Sequence, residues 1–169
     1  FTYTWDGLDI SNGEFVSGFD ENSQNPQFIF STCGAHPVSL SISDGNDCES
    51  IFYDTVYVWD IPKSNYSLEP VCEGAATLFM DSSYIDTTCM SGAIKEWIWN
   101  FGDNTDTTYN TYTNTFYHTY NPTCNVGDTA SQYITSLVLV DENSCRSQVD
   151  SSFAIVYCEP NADFDSTGI

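Results

Sequence analysis

Apolar and polar side chains alternate along much of this chain, and no apolar set recurs at i, i+3, i+4 and i+7 for three turns. The pattern therefore predicts strands and no long helix. Val38-Ser39-Leu40-Ser41-Ile42-Ser43 puts three aliphatic side chains on one face and three serines on the other, as in a half-buried strand. Gln132 to Val140 sets Leu137 and Leu139 on one face, and Val138 and Val140 fill the other, which predicts a strand covered on both sides. Trp97, Trp99 and Phe101 share one face of a further strand, and Phe153 to Tyr157 is a short run rich in side chains that sheets favour. Turn signals fall between these runs at Asp44-Gly45-Asn46-Asp47, Gly102-Asp103-Asn104 and Asn125-Val126-Gly127-Asp128. Many short strands with turns at this spacing predict an all-β sandwich or barrel.

The pattern occurs twice. PVSLSISDGNDC (37–48) aligns with TSLVLVDENSC (135–145) at an offset of 97, which matches Leu40 with Leu137, Ile42 with Leu139, Asp44 with Asp141 and Cys48 with Cys145. Cys33 and Cys124 precede the two runs, Thr4-Trp5-Asp6 corresponds to Ile98-Trp99-Asn100, and Pro62 with Tyr66 matches Pro160 with Phe164. The expected organisation is a partial first domain over 1–61 that lacks its opening strands, a complete domain over 62–158, and the first strand of a third over 159–169.

Composition narrows the function. With 3 Lys+Arg against 24 Asp+Glu the formal net charge is −21, so no basic face is available for a phosphate backbone and nucleic acid is excluded as a partner. Anionic membrane surfaces are disfavoured likewise, and no apolar run approaches a spanning length, so no membrane insertion is expected. Hydrophobic residues at 41% are enough for a core. The only methionines are Met80 and Met90, which reads as a processed product or an internal stretch. Seven cysteines without any CxxC point to disulfides and a secreted, extracellular or cell-surface setting; the alternative is buried thiols in a cytosolic protein. Cys33 and Cys48 flank a strand of about ten residues, some ~30 Å at ~3.3 Å per residue. They are too far apart to pair, and the same holds for Cys124 and Cys145.

In the second copy, Trp99 and Phe101 are expected to anchor the core, Gly102 to allow a sharp exit, and Asp103 with Asn104 to hold the turn. His118 and His36 read as structural hydrogen-bonding groups, since no nucleophile or second histidine accompanies either. Carboxylates are so numerous that paired acids carry no signal for glycoside hydrolysis, and no nucleophile elbow, zinc motif or phosphate loop is present. No catalytic residue, resident metal or cofactor is expected. Structural calcium is the competing reading, from Asp44, Asn46, Asp47 and Glu49 in one turn and Asp103 with Asp106 in another, although neither has EF-hand spacing.

Trp99-Asn100-Phe101-Gly102-Asp103, then His118-Thr119-Tyr120, then Ser136-Leu137-Val138-Leu139-Val140-Asp141 resembles the signature of the PKD (polycystic-kidney-disease-type) domain, in order and spacing, across essentially all of 62–158. The first copy is more degenerate: Trp5-Asp6 remains, Gly7 and Leu8 stand where Phe and Gly would be, and Phe28-Ile29-Phe30 replaces His-Thr-Tyr. Val71-Cys72-Glu73-Gly74 resembles a feature of tandem PKD-like repeats in large secreted surface adhesins of Bacteroidota, often type IX secretion cargo. The resemblance implies tandem immunoglobulin-like sandwiches that serve as a spacer or adhesion module of a surface filament, without enzymatic activity. The partners implied are neighbouring repeats of the same chain and surface glycans or proteins.

Immunoglobulin-like strand order implies disulfides Cys89–Cys145 and Cys72–Cys124, with partners of Cys33 and Cys48 before Phe1 and that of Cys158 beyond Ile169. Asp54-Thr55-Val56 and Asp128-Thr129-Ala130 resemble O-glycosylation sites of exported Bacteroidota proteins, which makes Thr55 and Thr129 acceptors, with Thr87 and Thr107 as weaker ones. Asn65-Tyr66-Ser67 is a lone N-glycosylation sequon. The alternative function is an accessory module of a secreted hydrolase that binds polysaccharide or protein. A row of exposed Tyr109, Tyr112, Tyr117 and Tyr120 would mark it.

Overall fold

The computed structural model describes residues 1–8, 11–46, 48–125 and 127–160, and among them every regular element is a strand. The chain divides into two compact units. Phe1–Asp60 together with Asp86–Gly92 form the first, and Ile61–Ile85 with the described residues from Ala93 onward form the second. The segment Asp86–Gly92, expected inside the 62–158 domain, thus groups with the first unit. Phe164 and the expected third-domain strand lie outside the described residues, apart from Glu159 and Pro160.

The first unit contains Thr2–Asp6 (β1), Gly13–Phe15 (β2), Phe28–Phe30 (β3), Gly34–Ser43 (β4) and Glu49–Val58 (β5). β1, β4 and β5 form one antiparallel sheet in that order, and β2 pairs with β3. The register places Trp5 opposite Leu40 and Leu40 opposite Phe52, so the three make a row across one face. The serines of β4 lie on the other face, as the alternation predicts. The loop after β2 returns to the sheet, where the Trp5 indole Nε1–H donates to the Ser23 carbonyl at 3.0 Å. Phe15, Phe28 and Phe30 make edge contacts at 4.9 and 5.0 Å, which ties the hairpin together.

The second unit contains Tyr66–Leu68 (β6), Val71–Cys72 (β7), Thr77–Asp81 (β8), Ile94–Asn100 (β9), Asp106–Tyr109 (β10), Thr115–His118 (β11), Ala130–Asp141 (β12) and Asp150–Tyr157 (β13). One sheet has the order β10-β9-β12-β13-β7 and the other β11-β8-β6. Pro70, between β6 and β7, supplies no ladder donor and marks where the chain leaves the smaller sheet and joins the larger one, parallel to β13. Side chains of both sheets close on one core: Tyr66 and Phe79 from one, Trp97, Trp99, Leu137, Leu139, Ala154 and Val156 from the other, with Phe101 and Tyr120 beside them. Antiparallel sheets in this order, with β7 paired parallel to the last strand β13, make an immunoglobulin-like β-sandwich.

The two units share one register. Trp99 lies opposite Leu137 and Leu137 opposite Asp150, reproducing Trp5, Leu40 and Phe52. Gly7 and Gly102 are also equivalent. Both have positive φ (84° and 80°), and a Cβ on either would fall 2.2 Å from the Pro37 carbonyl oxygen or 2.4 Å from that of Ile134. This corrects the expected alignment, in which Gly7 occupied the Phe position: the first copy omits the Phe101 equivalent and keeps the glycine, because the backbone contact tolerates no side chain.

The cysteine pairing departs from the expectation. Cys33 pairs with Cys89, with Cα atoms 6.0 Å apart, and Cys124 pairs with Cys158 at 5.7 Å. Cys89–Cys145 and Cys72–Cys124 do not form, and Cys48, Cys72 and Cys145 are free thiols. Cys89 rides on the segment that groups with the first unit, where its partner is Cys33. Ala130 lies opposite Tyr157, which brings the entry of β12 and the exit of β13 together. Cys158 thereby reaches Cys124 ahead of Cys72, and needs no partner beyond Ile169.

Candidate functional site

Around the second-unit motif, structure and chemistry converge on one turn. Trp99 is 1% exposed and meets Tyr66, Phe79 and Phe116 edge-on at 5.0, 5.6 and 5.1 Å. Phe101 follows the end of β9, and Gly102 turns the chain so that Asp103 meets His118 of β11. His118 Nε2 and Asp103 Oδ2 are 2.8 Å apart, and the imidazole stacks on Phe101 at 4.0 Å. The Thr105 amide and hydroxyl both donate to Asp103 Oδ1. The Tyr120 hydroxyl donates to the Phe101 carbonyl at 3.0 Å, which fixes the same corner from beneath.

The electrostatics of this corner follow from its contacts. Partial burial pushes the Asp103 carboxyl up, but the hydrogen bonds from Thr105 and His118 outweigh it, and the net pKa lies below the usual carboxylate value. Burial pushes the Tyr120 phenol up, helped by the Asp103 charge, so Tyr120 stays a neutral donor. Tyr66 is raised by burial too, against the opposing hydrogen bond with Thr135 at 2.7 Å. Trp99, Phe101, Gly102, Asp103, His118 and Tyr120 are therefore brought together, with Asp103 held by His118 and Thr105 and the Tyr120 hydroxyl held by the backbone. The arrangement locks a corner. In the first unit the His36 imidazole Nε2 meets the Thr32 carbonyl at 2.9 Å and packs on Phe30.

Other residues singled out from sequence are dispersed. Thr129 and Thr87 are exposed in loops, whereas Thr55 and Thr107 are half-buried on β5 and β10. In the Asp44 turn, the Asn46 amide donates to Asp44 Oδ1 at 2.8 Å, and Ser41 bonds Glu49; Asp47 lies outside the described residues. Asp103 is turned to His118 while Asp106 lies on β10 opposite Asn100. Among the described residues, no three His, Cys, Asp or Glu side chains are grouped as metal ligands. The four second-unit tyrosines form no common row: Tyr120 is core, Tyr109 packs on Phe116, Tyr112 is exposed in the loop between β10 and β11, and Tyr117 is exposed on β11.

The tyrosines that do line up lie in the first unit, on β5. Tyr53, Thr55 and Tyr57 share one face of this strand by alternation, and both rings are exposed, at 74% and 56%. They border an open groove of about 610 Å³ lined also by Pro37 and Ser39 of β4, Asp54 of β5, and Asp6 and Gly7. Nothing in the alternation marked it, because β5 carries apolar side chains on both faces (Ile51, Tyr53 and Tyr57 on one, Phe52, Val56 and Val58 on the other) and shows no period of two.

No protein-family model and no curated protein matches this sequence. Among solved structures, the chain is similar to the PKD1 domain of Vibrio anguillarum Epp, with 17% identity, a TM-score of 0.39, and 60% of this chain and 98% of that one covered. It is similar to the PKD1 domain of the Vibrio cholerae metalloprotease PrtV at 18% identity and a TM-score of 0.40, covering 57% and 98%. It also resembles fibronectin(III)-like modules of Clostridium thermocellum CbhA at 14% identity and a TM-score of 0.43, covering 90% and 80%. The assignment of the fold rests on the strand order and shared register described above.

Proposed function

We propose that this chain is a non-catalytic segment of a longer extracellular or cell-surface protein, in which PKD-like sandwiches repeat in series as a stalk or filament for adhesion. The observation that carries this reading is the repetition itself: one strand register and one glycine-to-backbone contact recur in both units. Two disulfides suit an oxidising medium, and a charge of −21 keeps a long exposed polymer from adhering to itself. A Bacteroidota adhesin exported by type IX secretion, O-glycosylated at the exposed Thr129 and Thr87, is the specific form this reading takes, with no cofactor required. Antibodies raised against the chain should label intact source cells and lie away from the envelope in thin sections. Labelling only after permeabilisation would refute the reading, and intact-mass analysis without hexose-scale increments would remove the glycosylation.

A further inference from the structure

We infer that the β5 groove of the first unit is a binding surface for a neutral, flat glycan chain, with Tyr53 and Tyr57 as its stacking platform. The two rings stand on the same face, four residues apart, about 13 Å along an extended strand. Both are far more exposed than the aromatic rings of the second-unit core. The surface between and beside them is Thr55, Ser39 and Pro37, two hydroxyl groups and one apolar ring, with the Asp6 and Asp54 carboxylates also lining the groove. Backbone pairing runs within the plane of the sheet, with β1 and β5 flanking Ser39–Ser43 of β4 and β5 alone beside Gly34–Val38, so the face between the two rings presents side chains. Rings that accept C–H faces, flanked by hydroxyl and carboxylate groups that exchange hydrogen bonds with alcohols, match a polyhydroxylated chain whose linkages keep it flat.

Charge narrows the class further. Lys63, Lys95 and Arg146 are the only Lys and Arg residues, and all three lie outside the first unit. The groove therefore sits in a unit without a single Lys or Arg, where a uronic-acid or sulfated glycan would be repelled. This surface adds a ligand to the spacer reading and does not depend on it, because a segment that binds no glycan would still be a spacer.

Affinity electrophoresis of the disulfide-bonded 169-residue chain tests the assignment, with hydroxyethylcellulose as the neutral probe and polygalacturonate as the acidic one. Retardation by hydroxyethylcellulose alone is expected. The double variant Tyr53→Ala/Tyr57→Ala should weaken it roughly tenfold, and Tyr53→Phe/Tyr57→Phe, which keeps both rings, should retain it. Tyr112→Ala/Tyr117→Ala, on the second unit, should change nothing. Absence of retardation by hydroxyethylcellulose would overturn the proposal. So would equal retardation by polygalacturonate, or loss in the second-unit variant instead. An unchanged far-ultraviolet circular dichroism spectrum and melting temperature in the alanine variant separate lost contacts from lost folding.

Discussion

Leu137 lies between Trp99 and Asp150 across its sheet and is fully buried, whereas Leu40 lies between Trp5 and Phe52 in the same arrangement and remains partly exposed. Phe52, at the end of that row, is 67% exposed. The difference is the second layer. In the second unit Tyr66, Phe79 and Phe116 of the smaller sheet close over Trp99, and the first unit has no counterpart of β6, β7 and β8 among its described residues. Strand register is thus a property of each sheet alone, while burial, and most of the stability that follows from it, belongs to the pair of layers.

Substituting the equivalent tryptophans separates these contributions most sharply. Trp99→Ala should destabilise the second unit by about 3–5 kcal/mol in urea unfolding, since it empties the centre of a closed core. Trp5→Ala, at a half-buried position, should cost only about 1–2 kcal/mol. Equal costs would mean that the first unit is as closed as the second. Removing the Cys124–Cys158 bridge by a double Ser substitution should lower stability by ~2–4 kcal/mol, and Cys72→Ser should have almost no effect, because that thiol is free. The reverse outcome would restore the pairing of Cys72 with Cys124.

Gly7→Ala and Gly102→Ala address what the units share. Each forces a side chain onto a carbonyl oxygen at positive φ, so each should lower stability by about 1–3 kcal/mol whether or not a second layer is present. A loss confined to Gly102 would show that the turn depends on the closed core. The smallest expected effect is that of Asp103. Its folded pKa lies below the usual 3.8, so the stability it confers is complete above that value and is lost as pH falls through the lowered one. Asp103→Asn should therefore flatten the fall in melting temperature of the second unit as pH drops below the usual carboxylate value, leaving the first unit unchanged.

Much of this architecture can be read from the residues. The serine alternation of β4, the Trp97-Trp99-Phe101 face and the repeat offset follow from local periodicity, and the structure reproduces all three. β5 was hidden because both its faces are apolar, and the groove with it. The disulfides were hidden for another reason: the fate of Cys89 depends on which unit the segment Asp86–Gly92 joins, a non-local outcome that leaves no trace in spacing. The partnership of His118 with Asp103 was legible only as a role, since a turn residue and a strand residue fifteen positions apart meet through the fold.

Residue-resolved amide hydrogen exchange on the disulfide-bonded chain tests the central comparison most directly. The paired amides of β9 and β12, around Trp99, Leu137 and Leu139, should exchange slowest of all, and those of β5, including the Phe52 amide, orders of magnitude faster. Protection of β4 and β5 equal to that of β12 and β13 would contradict it.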